Sequence, residues 1–396
     1  MGAASARIYE HARLWVDAGH QVTVVCAVPH YPLGLVPKEY RRKLLFRESV
    51  DGIEVLRCSL YAARNGGVLR RSFGFFTFML SAAFFGAVST RPCDVVVATS
   101  PQMLCGLAGY LVSLAKRRPF VLEVRDLWPK QIVDLGVVRQ RWIISLLTAL
   151  EMFLYRRARA IVVVAEATRS QIAARGIPQE KIHTVTNGID ENLFVVQDRD
   201  SAARKRHGWQ DKLVVLYIGT HGMSQGLETV LETAKLLESR QDILFVFSGA
   251  GAEYEMLGRH ARERKLDNVT FLPVQAKQDM PAFYAAADIC LVPLKKREVF
   301  LYNIPSKMFE IMGCARPMVL GVEGQAKALL DEARAGISVE PENPEAMAAA
   351  VLALADNPAL RQELGRNGRD FVAAHYTRKS KADMYLRCLR QLVDAE

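Results

Sequence analysis

The sequence lacks the features that mark several common protein classes. Its seven cysteines among 396 residues (Cys26, Cys58, Cys93, Cys105, Cys290, Cys314 and Cys388) are scattered and never spaced as CxxC. That argues against a zinc ribbon or a disulfide scaffold and fits a reducing compartment. The eight histidines form no HExxH or other short metal-ligand grouping, so neither a metal nor another cofactor is expected. The GxGxxG and P-loop spacings are both absent. No secretory leader opens the chain, because Met1-Gly2-Ala3-Ala4-Ser5 runs straight into a charged helical pattern, and a cytoplasmic protein is expected. Dense basic stripes with interleaved aromatics are also missing. The excess of 52 Lys and Arg over 42 Asp and Glu, a net charge of +10, therefore reads as an attraction for phosphorylated ligands or anionic lipid, and no nucleic-acid partner is expected.

Half of the residues are hydrophobic and 24% are charged, ordinary globular usage, and the length suits two to three domains. Short apolar runs alternate with longer amphipathic stretches, the rhythm of a parallel α/β fold. Strands are predicted at Gln21–Val25, Asp94–Ala98, Phe120–Val124, Ala160–Val164 and Ile182–Val185. After a polar stretch from Gln197 to Lys212 the rhythm resumes with Leu213–Ile218, Ile243–Ser248, Val269–Leu272, Asp288–Val292 and Pro317–Gly321. Two Rossmann-like domains facing a cleft are predicted, residues 1–195 and 196–375. Residues 376–396 form a closing helix that packs back toward the first domain. Asp198-Arg199-Asp200 has DxD spacing but follows no strand, and reads as a solvated linker, not a metal site.

The chemistry concentrates in Ile304–Gly321. Pro305 and Ser306 start a short helix on which Lys307 and Glu310, three apart, share a face in the first turn. Backbone N–H groups and a lysine there attract phosphate, and a carboxylate accepts two hydrogen bonds from a vicinal diol such as a ribose. Alone, the pair reads equally as a surface ion pair. Two strand-ending Gly-rich loops, Gly219-Thr220-His221-Gly222 and Gly249-Ala250-Gly251, change that balance, because three elements converge on one diphosphate.

These segments, with GAASARIYEHA (2–12), EVRDLWP (123–129), TNGIDENLF (186–194), AAADICLVPL (285–294) and PSKMFE (305–310), resemble the retaining nucleotide-sugar glycosyltransferases of GT-B architecture, family four. The likeness spans nearly the whole chain. It is nearest to bacterial O-antigen, capsule and exopolysaccharide transferases, including the N-acetylfucosamine-transferase type. The resemblance implies a nucleotide-sugar donor, UDP-linked, and a polyprenyl-diphosphate-linked acceptor at the inner membrane surface. It implies donor contacts at Gly219, Thr220, Gly222, Gly249, Gly251, Val274, Gln275, Ser306, Lys307 and Glu310. The acceptor side is Gly2, Ala3, Arg64, Arg125 and Asp126, with Lys307 stabilising the leaving diphosphate and Asp126 receiving a proton. An alternative is a catalytically impaired nucleotide-sugar-binding or assembly partner. It is motivated by Tyr302 where relatives place a second glutamate and by Gln225 where many carry a lysine.

Two further expectations concern the first domain. Ser72–Thr90 carries no charge and is flanked by Arg70, Arg71 and Arg91, so a buried or interfacial helix is expected in preference to a spanning one, with peripheral membrane docking. The family's first strand is missing, since the chain opens at what resembles the end of the loop that follows it. Its loss would open the sheet between the strands near Val25 and Asp94, and lower stability is expected.

Overall fold

The structure is a computed structural model that describes residues 3–30, 34–62, 68–100, 102–200 and 202–394. It comprises two compact units, one of Ala4–Val185 with Ala382–Glu396 and one built on Thr186–Lys381. The chain leaves the first unit at 185–186, not at the expected 195–196. The reason is apolar: Ile189 and Phe194 are buried in the second unit, where Ile189 takes the carbonyl of Tyr376 at 2.8 Å and Arg369 donates to the Phe194 carbonyl at 2.9 Å.

The first unit runs α1 (Ala3–Asp17), β1 (Thr23–Ala27), β2 (Leu45–Val50), β3 (Ile53–Cys58), α2 (Val68–Ser89), β4 (Val96–Thr99), α3 (Met103–Lys116), β5 (Phe120–Val124), α4 (Lys130–Asp134), α5 (Arg141–Arg157), β6 (Ala160–Val163), α6 (Glu166–Ala173) and β7 (Ile182–Thr184). The antiparallel β2–β3 hairpin, absent from the strands predicted above, turns on Asp51-Gly52, whose φ angles of 49° and 78° suit a tight primed turn.

Two sheets result, ordered β1-β3-β2 and β4-β5-β6-β7, with β1 and β4 each at an edge of its sheet. Helices span both sheets on both faces. On one face, Val25 of β1 shares a cluster with Met79 and Ala82 of α2 and with Leu104, Leu107 and Ala108 of α3. On the other, α1 sets Ala12 and Val16 against β1 and β3 and sends Arg7 to Glu123 of β5. Among the described residues no strand precedes α1, and none pairs with both β1 and β4.

The second unit runs α7 (Ala202–His207), β8 (Leu213–Thr220), α8 (Glu228–Leu236), β9 (Ile243–Ala250), α9 (Tyr254–Glu263), β10 (Val269–Leu272), α10 (Met280–Ala286), β11 (Ile289–Pro293), α11 (Lys307–Gly313), β12 (Met318–Gly321), α12 (Gln325–Ala333), β13 (Gly336–Ser338), α13 (Pro344–Ala355) and α14 (Pro358–His375). The last helix, α15 (Arg378–Val393), begins in this unit and ends in the first. All six strands are parallel, ordered β10-β9-β8-β11-β12-β13. The order reverses between β8 and β11, and such a switch point opens a crevice beyond the carboxyl ends of the strands.

The expected linker is anchored. Arg199 donates from Nε to Asp288 at 2.6 Å, and the fully buried Arg204 donates to the same carboxylate at 3.3 Å, so Asp198–Asp200 is not simply solvated. The arginine between the two aspartates closes the end of β8, because Asp288 also accepts the Val214 backbone N–H at 2.8 Å.

Candidate functional site

The crevice of the second unit gathers most of the expected donor residues. Gly219 and Thr220 end β8, and Gly249 and Ala250 end β9 beside them in register. The two loops touch: a Cβ built on Gly249, whose φ is 147°, would lie 1.8 Å from the Gly219 carbonyl oxygen, and one on Gly251 would lie 2.2 Å from the His221 carbonyl. Only glycine permits this approach. Gly249→Ala is expected to destabilise the unit by about 3 kcal/mol or more, read from urea unfolding, since the clash is with backbone and cannot be relieved by a rotamer.

Lys307, the first residue of α11, reaches over these loops. Its Nζ sits 3.9 Å from the centroid of the Tyr217 ring and 2.9 Å from the place a Gly219 side chain would occupy. Burial pushes the Lys307 ammonium down to about 7, against the opposing pull of Glu310. Two amides of the first turn are engaged, those of Met308 and Phe309, which donate to the carbonyls of Pro305 and Ser306 at 3.0 and 3.2 Å. Lys307 is the cation this segment supplies. Ser306 makes no side-chain cap.

Glu310 lies one turn further along. Its Oε2 accepts from the hydroxyl of the fully buried Tyr284 at 2.9 Å. Burial raises the carboxyl, opposed by that hydrogen bond and by the charges of Lys277, Arg378 and Lys307. Three cations surround one carboxylate, an arrangement suited to an anionic ligand that brings its own hydroxyls.

His221 is fully buried among Tyr217, Phe247, Tyr254 and Phe271. Burial lowers it to about 4, so the ring is neutral near pH 7. Gln225, in place of a lysine, braces its loop by accepting from the Gly222 amide at 3.1 Å. Val274 is 65% exposed beyond β10, and Gln275 donates to the Pro273 carbonyl at 2.7 Å. The Tyr302 hydroxyl donates to Glu298 at 3.0 Å, so those two side chains hold each other.

Arg125 and Asp126 belong to the first unit and follow β5. The Arg125 amide donates to Ser100 Oγ at 3.0 Å, and burial lowers its guanidinium against the pull of Glu123. Ala3 opens α1, while Gly2 and Arg64 lie outside the described residues. Among the described residues no three His, Cys, Asp or Glu side chains group as metal ligands. Four contributors were not singled out from the sequence: Tyr217, Tyr284, Lys277 and Arg378. The two tyrosines sit inside apolar runs, where they read as core, and the two cations come from segments remote in sequence.

Residues 2–188 match the family described as glycosyl transferase 4-like domain, and residues 199–371 match glycosyl transferases group 1. A putative colanic acid biosynthesis glycosyl transferase, WcaI of Escherichia coli K12, is 28% identical over 349 residues, covering 85% of each chain. The alpha-D-kanosaminyltransferase of Streptomyces kanamyceticus is 26% identical over 60% of this chain and 61% of its own. Among solved structures, a sucrose-phosphate synthase from Thermosynechococcus elongatus superposes with a TM-score of 0.80 at 18% identity, covering 100% of this chain and 94% of its own. HepE of Anabaena with UDP-glucose gives 0.74 at 16% identity, covering 99% and 96%. These two likenesses carry the fold, and the chain belongs to the GT-B glycosyltransferases of group 1, with a family 4-like N-terminal domain.

Proposed function

We propose that the protein moves a sugar, with retained anomeric configuration, from a UDP-linked donor of the N-acetylated deoxyhexose type to a polyprenyl-diphosphate-linked saccharide during surface polysaccharide biosynthesis. The observation that carries the donor side is the convergence of Lys307, Glu310 and two touching glycine loops at the switch point of one sheet. The WcaI relative supports the polysaccharide setting, and HepE with UDP-glucose supports the uridine nucleotide. In this reading Glu310 takes the ribose hydroxyls and Lys307 the diphosphate, with backbone from Gly219 to Gly222 beside the sugar and Val274 and Gln275 at the base. The bond from the anomeric carbon to the diphosphate oxygen breaks as the acceptor oxygen bonds to that carbon on the same face. The acceptor proton passes to Asp126 or to the leaving phosphate oxygen, and Arg125 cannot take it because its guanidinium stays charged.

Glu310→Ala tests the donor assignment. Loss of two charge-assisted hydrogen bonds is expected to weaken UDP-sugar binding about 10- to 100-fold by calorimetry, with about 1–3 kcal/mol of stability lost in urea unfolding because the buried Tyr284 hydroxyl is left without its acceptor. Equal binding by the variant would remove Glu310 from the ribose.

A further inference from the structure

α2 turns a continuous apolar stripe outward. Phe73, Phe76, Leu80, Phe84 and Val88 follow one another at three- and four-residue steps and are 46–64% exposed. The opposite side is committed to the fold: Met79 and Ala82 are buried, and Gly86 lies so near Val112 of α3 that a Cβ would come within 2.7 Å. Ser81 Oγ donates to the Ser59 carbonyl at 2.6 Å, and Thr77 Oγ1 accepts the Tyr61 amide at 2.9 Å. Although the Ser72–Ser89 window is long and apolar enough to cross a membrane, only 22% of it is buried, so of the two arrangements expected for it, buried or interfacial, the buried one does not hold.

The stripe continues on the neighbouring helices of the same layer. Leu114 of α3 is 56% exposed, and Trp142 and Leu146 of α5 are 70% and 61% exposed, with Tyr110 of α3 stacked edge-on against Phe153 of α5 at 5.3 Å. Basic residues frame this surface at both ends, Arg70 and Arg141 where α2 and α5 begin and Arg117, Arg118 and Arg156 where α3 and α5 end. Neither α2 nor α3 contains an acidic residue, and the one in α5, Glu151, is buried and paired with Arg175 at 2.6 Å.

We propose that this α2–α3–α5 layer docks on an anionic lipid bilayer, with the phenylalanine stripe among the acyl chains and the arginines on headgroup phosphates. A second copy would set the same basic rims against each other, whereas anionic lipid complements them. α2 lies in the interface and does not span it, because crossing would strip Met79, Ala82 and Ser81 from the first unit. The proposal deepens the proposed function by naming the surface that holds the enzyme at a lipid-linked acceptor, and the site it uses is separate from the donor residues.

The test is co-sedimentation of the full chain with phosphatidylcholine vesicles with or without about a third phosphatidylglycerol. Binding is expected to the anionic vesicles and to fall at least about tenfold in Phe76→Asp/Phe84→Asp. Leu236→Asp, at an exposed leucine of the second unit, is expected to bind as the parent does. Equal vesicle binding by the double variant, no binding by the parent, or a concentration-dependent dimer that the double variant abolishes would each overturn the proposal. UDP-sugar binding, measured without vesicles in the same variants, is expected to be unchanged. Its absence from the parent would fault the donor reading and leave the docking result standing.

Discussion

A Lys307→Met enzyme is expected to keep its fold and lose about two to three orders of magnitude in kcat/KM for the sugar donor, as loss of one preorganised cation at a departing oxyanion costs about 2.7–4 kcal/mol. Methionine preserves the stem beside the Tyr217 ring and removes only the charge. The titration of Lys307 gives the same residue a second signature. In the free enzyme burial holds the ammonium at about 7, and a bound diphosphate restores its charge. Below pH 7 the lysine is already protonated and donor affinity is level. Above it the donor must bring a proton along, so affinity falls by up to about tenfold per pH unit until the pKa of the complex is reached. Calorimetry in buffers of different ionisation enthalpy is expected to show proton uptake at pH 8 for the parent and none for Lys307→Met. An unchanged pH profile in the variant would mean that another group binds the diphosphate.

Arg7→Ala is expected to cost about 3–5 kcal/mol of the first unit's stability, the usual penalty for leaving one partner of a buried pair behind. Arg7 is 2% exposed and donates to Glu123 at 2.9 Å and to the Val185 carbonyl at 2.8 Å, tying α1 to β5 and to the end of β7. Burial alone would raise the Glu123 carboxyl, but the charges of Arg7 and Arg125, with the Arg7 and Thr99 hydrogen bonds, hold it below the ordinary range. Its contribution to stability is therefore present above the unfolded carboxylate range near pH 4.3 and is lost as the pH falls through its lower folded value. Without Arg7, burial is unopposed by its nearest partner, and the variant is expected to unfold at a higher pH on acid titration. Replacing both residues, Arg7→Met with Glu123→Leu, is expected to recover much of the loss. No recovery in urea unfolding would locate Arg7's role in its bond to Val185 instead.

How much was legible depended on the range of the interaction. Phe120–Val124 and Val269–Leu272 are strands at the predicted residues, because short runs dominated by β-branched and aromatic residues and bounded by polar turns carry their own signal even with Glu123 and Thr270 inside them. The β2–β3 hairpin was missed although Asp51-Gly52 between alternating residues signals it locally. Lys307 and Glu310 were readable because one helical turn brings them together. Tyr284 was not, since only tertiary packing sets its hydroxyl on Glu310. Arg199 was misread for the same reason: its partner, Asp288, lies in a distant stretch of the chain. The apolarity of α2 was plain in the sequence, but which of its faces the α3 pairing consumes was decided by Gly86 against Val112.

The most direct measurement of the central claim incubates the purified protein with a panel of UDP-sugars and polyprenyl-diphosphate-linked saccharides, following UDP release and glycolipid mass together. The account predicts that one donor yields equimolar UDP and a glycolipid one sugar heavier, with the donor's anomeric configuration retained, and that Lys307→Met yields neither at a comparable rate. Tight donor binding with no glycolipid from any pair would contradict transfer and leave a nucleotide-sugar-binding partner in its place.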